Sequence, residues 1–365
     1  MAHRIIFWVV RFFYRLNQEH LFPRASALFQ YKDFLMRFVT LITLFFLFSC
    51  SLAQDRENVQ HQRVMFWNVE NAFWPDDDTL RLDDEYTPEG IRHWTRGRLR
   101  QKLLQLSRVI VAAGDGMAPM VVGLAEVEGD SVMHYWTHST PLRDLHYNYI
   151  VSNGPDVRGI QTALLYQPAD FKLLHADFHR VALPDGVRPT RDVLHAAGRV
   201  VSGDTLDVIV CHLPSRLGGA KLSQKARDAA HRTVMHLADS LRGIRRKPSI
   251  VIMGDMNDYA KDSKAWWGKD YTNLMVGLQR SLKRHPSHYG SHKYQGVWGF
   301  LDQFVVHAGC PRLSFGNARA FSMPFMLTED VTYLGHRPKR SYYGYEFEGG
   351  YSDHLPILLD LDIVF

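Results

Sequence analysis

Cysteine is scarce, with three residues in 365, and only Cys211 and Cys310 lie beyond residue 53. Two thiols make no disulfide framework. They could pair in an oxidising compartment, but two buried free thiols are the expectation. Also missing are a cysteine or histidine cluster at zinc spacing and a glycine-rich loop that would cradle a nucleotide. No repeat, low-complexity tract or Pro/Ser-rich linker interrupts residues 63–365, and 46% of the chain is apolar, so this stretch reads as one domain with a sizeable core. The formal charge is only +5. Residues 1–53 hold six Lys/Arg and two acids, which leaves about +1 for the rest. So small a surplus speaks against tight duplex binding, which draws its affinity from neutralised phosphates, without excluding a local basic groove.

The first 53 residues read as a leader. Met36-Arg37 precedes an apolar run, Phe38–Phe48, and the small residues of "SCSLAQD" follow. Charged start, apolar middle and small-residue exit are the parts of a secretory signal, and the run is too short to span a bilayer. Met36 is a candidate true start. Two exits compete: cleavage after Ala53, preceded by Ser51, or a lipobox at Leu47–Cys50 that would attach lipid to Cys50. The expectation is a leader over 1–53 and a single domain over 54–365. The protein would be exported as a periplasmic, secreted or outer-surface lipoprotein, with no obligate protein partner evident.

Within that domain, seven apolar, β-branched runs predict core strands at 63–69, 120–127, 160–166, 206–213, 249–255, 301–307 and 355–363. Helical periodicity covers Gly97 to Ala113 and about Leu222 to Leu241. The informative feature is what stands at the strand ends. Asn68 and Glu70 close the first, Glu126 and Glu128 the second, His212 the fourth, Asp255 and Asn257 the fifth. Asp302 opens the sixth, and Asp353-His354 precede the last. Singly, each is an ordinary turn residue or a solvated strand end. Together they supply carboxylates, asparagines and histidines in a number that independent turns do not explain.

The ordered motifs are "FWNVENAF" (66–73), "GLAEVEG" (123–129), "VCHLPSRLGG" (210–219), "GDMND" (254–258), "LDQF" (301–304) and "YSDHLPI" (351–357). This series resembles the endonuclease/exonuclease/phosphatase superfamily, the deoxyribonuclease I-like hydrolases. The resemblance implies an α+β fold, a four-layer α/β/β/α sandwich of two mixed sheets packed face to face with helices outside. It also implies that Glu126 is the principal ligand of a Mg²⁺ or Mn²⁺ ion, with Asn68 and Asp353 nearby and Glu70 also facing the metal. Oxygen ligands suit such hard cations. His354, oriented by Asp302, would transfer a proton. Asp255 and Asn257 would position water and phosphate, and His212 would donate a hydrogen bond to a phosphate oxygen. Whether His354 or Asp255 takes the proton from water stays open. One departure concerns His212: many members have Asn one or two residues earlier, where this chain has Val210 and Cys211.

Substrate contacts are less defined. Arg216 either clamps a phosphate or lies in a plain surface turn. Tyr294 and Trp298, with Trp67, Trp74, Trp266 and Trp267, either stack on bases or anchor loops. Arg216, Lys221, Lys225, Arg227 and Arg232 form a basic stretch, much of it expected as a solvated helix face. The leading expectation is a metal-dependent nuclease acting on DNA or RNA. The rivals are a hydrolase of a phosphoinositide, a sphingomyelin-like lipid or another small phosphodiester, and a non-catalytic binding module on the same fold.

Overall fold

The computed structural model describes residues 36–37, 40, 58–216, 220–282, 284 and 289–365, without the side chains of 220–222, 264 and 265. The chain divides into two units, 1–58 and 59–365. In the first, only helical Met36, Arg37 and Thr40, with Asn58 at its end, are described. The signal-segment expectation, including Cys50, Ala53 and Gln54, lies outside the described residues. No helix among the described residues is long and apolar enough to cross a membrane.

Residues 59–365 form two six-stranded sheets. Their strands, in chain order, are β1 (Val59–Ala72), β2 (Val121–Val127), β3 (Asn148–Val151), β4 (Gln161–Tyr166), β5 (Lys172–His179), β6 (Val193–Arg199), β7 (Thr205–His212), β8 (Ser249–Asp255), β9 (Thr272–Asn273), β10 (Asp302–Ala308), β11 (Leu313–Ala320) and β12 (Ile357–Val364). The first sheet runs β11-β12-β1-β2-β4-β3 and the second β5-β6-β7-β8-β10-β9. Each is mixed, because β1/β2 and β7/β8 are parallel while the other pairs are antiparallel. The helices are α1 (Arg96–Gly114), α2 (Asp130–Ser139), α3 (Ala220–Ile244) and α4 (Met275–Ser281).

Three apolar layers account for the stacking. Successive strand residues face opposite sides. In β1, Met65, Trp67 and Val69 pack outward against Leu99, Leu103 and Leu106 of α1, whereas Val64 and Phe66 face the second sheet. In β7 and β8, Val208, Val210, Val251 and Met253 fill the space between the sheets. Ile209, Cys211, Ile250 and Ile252 lie beneath Ala230, Val234 and Leu237 of α3. The result is the α/β/β/α sandwich. Cys211 and Cys310 are both buried and unpaired.

All seven expected strands are present with ends shifted by at most a few residues, but β3, β5, β6, β9 and β11 had no counterpart in the sequence reading. None of the five presents a long apolar run: β5 and β11 are partly exposed, β3 and β9 are short, and His195 interrupts β6. The ten-residue α2 was likewise not anticipated.

Candidate active site

The polar residues sit where the inter-sheet layer ends. His212 pairs with Asp255 across β7/β8, and Asp255 with Asp302 across β8/β10, so the three occupy one transverse row. All share the strand face of Val210, Met253 and Phe304, which belong to the apolar layer. From the first sheet, Asn68 continues the face of Val64 and Phe66. Its Nδ2 donates to Asp255 Oδ2 at 3.1 Å and so joins the two sheets at the rim.

Glu126 reaches this rim through a backbone irregularity. Simple alternation would put it outward with Val122 and Leu124. The register shifts between Ala125 and Val127, and Glu126 takes a left-handed φ of 67°. That bulge redirects the side chain. Asn71 N donates to its Oε2 at 3.0 Å, while Oε1 stands 3.9 Å from His212 Nε2. Asp353 and His354 come from the segment before β12. Trp67 Nε1 donates to His354 O, and His354 N donates to Ser352 Oγ, which fixes the turn.

These groups enclose a cavity of about 430 Å³ lined by Asn68, Glu126, His212, Arg216, Asp255, Asn257, Tyr294, Asp353 and His354. Nine of the twelve sequence-predicted site residues therefore meet there, and Asp302 stands directly behind His354. Two do not. Glu70 shares its alternation with Asn68, but the left-handed φ angles at Glu70 and Asn71 turn it away. Its oxygens accept from Arg340 Nε at 3.0 Å and Ser341 N at 2.7 Å. It therefore holds Arg340, whose Nη2 donates to Asp353 Oδ2 at 3.0 Å, and does not face the cavity itself. Trp298 packs on the α1-side core with its ring 5.0 Å from Tyr289, as a loop anchor. The other indoles likewise pack on the sandwich, with Trp67 and Trp267 buried and Trp74 and Trp266 partly so. Of the basic stretch, Lys225 and Arg232 are exposed as expected of a solvated face, whereas Arg227 is 1% exposed with its Nε 3.6 Å from Asp258.

The electrostatics separate the titratable groups. His354 Nδ1 lies 2.7 Å from Asp302 Oδ2. Burial opposes protonation of this ring, but Asp302, with Asp255 and Asp353, outweighs it and lifts the pKa well above the ordinary imidazole value. His212 behaves oppositely: burial, then Arg191 and Arg158, push its pKa well down, so it is neutral. Burial raises Asp255 to about 6, with Asp302 adding to it and His354 and two hydrogen bonds opposing. Asp353 stays low because Arg340 and His354 offset its burial.

Sequence reasoning missed Arg158, Ser215, Tyr259, His292 and Leu301, which also line the cavity. All come from loops or from the antiparallel ribbon of His292–Tyr294 and Val297–Gly299, where no periodicity marks them. His292 is held neutral, its pKa pushed down to about 4 by burial and then by the His354 charge. Arg216 does line the cavity. It donates to Asn257 O at 3.0 Å, pairs with Asp258 and lies over the Tyr259 ring. Asn257, with φ of 48°, donates through Nδ2 to Leu213 O at 2.9 Å and through N to Asp255 Oδ1 at 2.9 Å.

This donor set fits a hard divalent cation. Glu126, Asn68 and Asp353 offer oxygen atoms, and Asp255 and Asp302 add negative charge that burial makes costly. His354 joins two metal-compatible groupings, one with His292 and Asp353 and one with Asp255 and Asp302.

A family model described as the Endonuclease/Exonuclease/phosphatase family matches residues 63–363. A comparison with curated protein sequences found no match. Among solved structures, an endonuclease/exonuclease/phosphatase family protein from Bacteroides thetaiotaomicron aligns with a TM-score of 0.53 at 13% identity, covering 84% of this chain and 97% of that one. A mannosyl-6-phosphatase from Bacteroides thetaiotaomicron VPI-5482 aligns with a TM-score of 0.51 at 15% identity, covering 83% and 100%. D. rerio TDP2 complexed with a single-strand DNA product aligns with a TM-score of 0.50 at 16% identity, covering 83% and 99%. Such identities speak to the fold alone. With the family match spanning nearly all of the sandwich, the chain belongs to the endonuclease/exonuclease/phosphatase family and is a metal-dependent phosphoric ester hydrolase.

Proposed function

We propose that this protein is an exported nuclease that hydrolyses DNA or RNA phosphodiesters with Mg²⁺ or Mn²⁺. The observation that carries the reading is the composition of one cavity. Metal-compatible oxygens, the cations Arg158 and Arg216 and the Tyr259 and Tyr294 rings all line it. Tyr294 is 59% exposed, which leaves its face free to stack on an unpaired base.

Glu126, Asn68 and Asp353 would hold the cation, whose chemistry is to neutralise developing charge on the phosphoryl and leaving oxygens. The chain's own groups divide the proton work. Asp255, raised to about 6, accepts a proton from the attacking water. His354, kept protonated by Asp302, presents its Nε2 hydrogen to a phosphoryl oxygen. Neutral His212 donates to another oxygen, and Asn257 shapes the Asp255 turn. The leader supports export, with Cys50 lipidation and cleavage after Ala53 as its two routes; mass spectrometry of the exported N-terminus distinguishes them.

A second reading, hydrolysis of a small phosphoester, is favoured by one observation: Arg216 is already paired with Asp258, which leaves Arg158 as the less committed cation. The discriminating experiment measures turnover of plasmid DNA, single-stranded RNA, bis-p-nitrophenyl phosphate and a sugar monophosphate, with Mg²⁺, Mn²⁺ or EDTA, beside Glu126→Gln. Metal-dependent cleavage of nucleic acid that Glu126→Gln abolishes supports the nuclease. Turnover of the small esters alone would replace it with the second reading, and no turnover would favour the binding module.

A further inference from the structure

A group of histidines and carboxylates on the far side of the second sheet takes no part in the phosphoester site. His175, Asp177 and His179 alternate along β5 and so share one strand face. Asp177 pairs in register with His195 of β6. Leu194 and Ala196, its neighbours, point into the inter-sheet layer, so His195 points outward, away from the face that carries His212, Asp255 and Asp302. A strand spacing of two residues resembles none of the helix or knuckle spacings by which zinc sites are usually read, so nothing in the spacing marks it.

We propose that Asp177, His179 and His195 bind a divalent transition-metal ion of the zinc class, with His175 in reach as a further donor. The donor atoms of the first three lie within 4.8 Å of one another. His195 Nδ1 is 2.9 Å from Asp177 Oδ1, while His179 Nε2 and His175 Nε2 stand 3.3 and 3.5 Å from Asp177 Oδ2. Tetrahedral bonds of about 2.0–2.2 Å place neighbouring ligand atoms roughly 3.3–3.6 Å apart, so little movement is needed. His179 Nε2 is shielded from solvent and makes no hydrogen bond in spite of its closeness to Asp177.

The surroundings of His195 add a second line of support. Its Nε2 lies 2.9 Å from Asp207 Oδ1, and Asp207 is fully buried and gripped by Arg245 at 2.7 and 2.8 Å. A carboxylate on the far nitrogen is the usual support for a metal-binding histidine, because it fixes the tautomer and leaves the other nitrogen's lone pair free. Two imidazoles and a carboxylate select zinc-class ions over Mg²⁺, whose preference is for oxygen. The arrangement without metal is His195 bridging Asp177 and Asp207 through its two ring nitrogens.

Equilibrium dialysis of the full chain against Zn²⁺, in excess Mg²⁺, decides between them. One Zn²⁺ per chain is expected. His179→Ala, at the partly exposed edge, should weaken its binding at least about tenfold, and Asp207→Asn by about 10–100-fold. Glu126→Gln should leave this Zn²⁺ in place, and His179→Ala should leave phosphoester hydrolysis unchanged. Co²⁺ should give a tetrahedral visible absorption that His179→Ala and His175→Ala each diminish. Absence of Zn²⁺ uptake, or uptake indifferent to both His179→Ala and His175→Ala, would overturn the proposal.

Discussion

Two glutamates one strand apart show how local backbone decides chemistry. Glu126 and Glu70 both follow apolar strands, yet the bulge at one brings its carboxylate to the cavity while the left-handed turn at the other sends it to Arg340. Glu126→Gln is therefore expected to lower metal-dependent turnover by about 100-fold or more. Glu70→Gln, which reaches Asp353 only through Arg340, should raise the Mg²⁺ concentration needed by about tenfold while leaving turnover at saturating metal closer to wild type, and a titration of rate against Mg²⁺ for the two variants checks both. His354 and Asp302 make a further residue-level test. Asp302 is what holds the imidazole protonated against its burial, so Asp302→Asn should move the alkaline limb of the pH–rate profile to lower pH. An alkaline limb that stays in place would mean that His354 does not act as the proton-bearing donor.

Among the elements, the β7/β8 pair matters most because it aligns His212 with Asp255. Gly254 makes that alignment possible: a Cβ there would lie 2.2 Å from Cys211 O and 2.6 Å from its Sγ. Backbone cannot yield as a flexible side chain does. Gly254→Ala should cost about 1–3 kcal/mol in denaturant unfolding and lower activity together with it. The outer face of the same sheet offers a pH test. Although burial would raise the Asp207 pKa, Arg245 and His195 hold it below the ordinary range. A depressed carboxylate stabilises above its unfolded pKa of about 4, and that contribution is lost as pH falls through the folded value. Arg245→Ala should thus destabilise by about 2–3 kcal/mol at neutral pH, with the difference from wild type shrinking in acid, as unfolding curves across pH 7 to 3 would show.

For the whole molecule, the sandwich gathers one site from chain segments nearly 290 residues apart, from Asn68 to His354. Its concentrated carboxylates predict that EDTA abolishes turnover and that Mg²⁺ raises the melting temperature as it binds only the folded chain; a melting curve indifferent to Mg²⁺ would count against the site. Much of this was legible without coordinates, because apolar alternation marks the central strands and a polar residue in the same phase marks where each meets the rim. "FWN", "VCH", "MGD" and "LDQF" carry both signals. The edge strands were not legible: β5 is largely solvent-facing, and β11 shifts register between Phe315 and Ala318. Nor were the loop contributions of Arg158 and His292, or the outward cluster around His195. The sequence by itself determined the central strands, the family and the set of residues able to do the chemistry, since these follow from residue type and period. Only the tertiary structure decided which of them face one another, because a bulge or a left-handed residue reverses a side chain's direction without changing its place in the sequence.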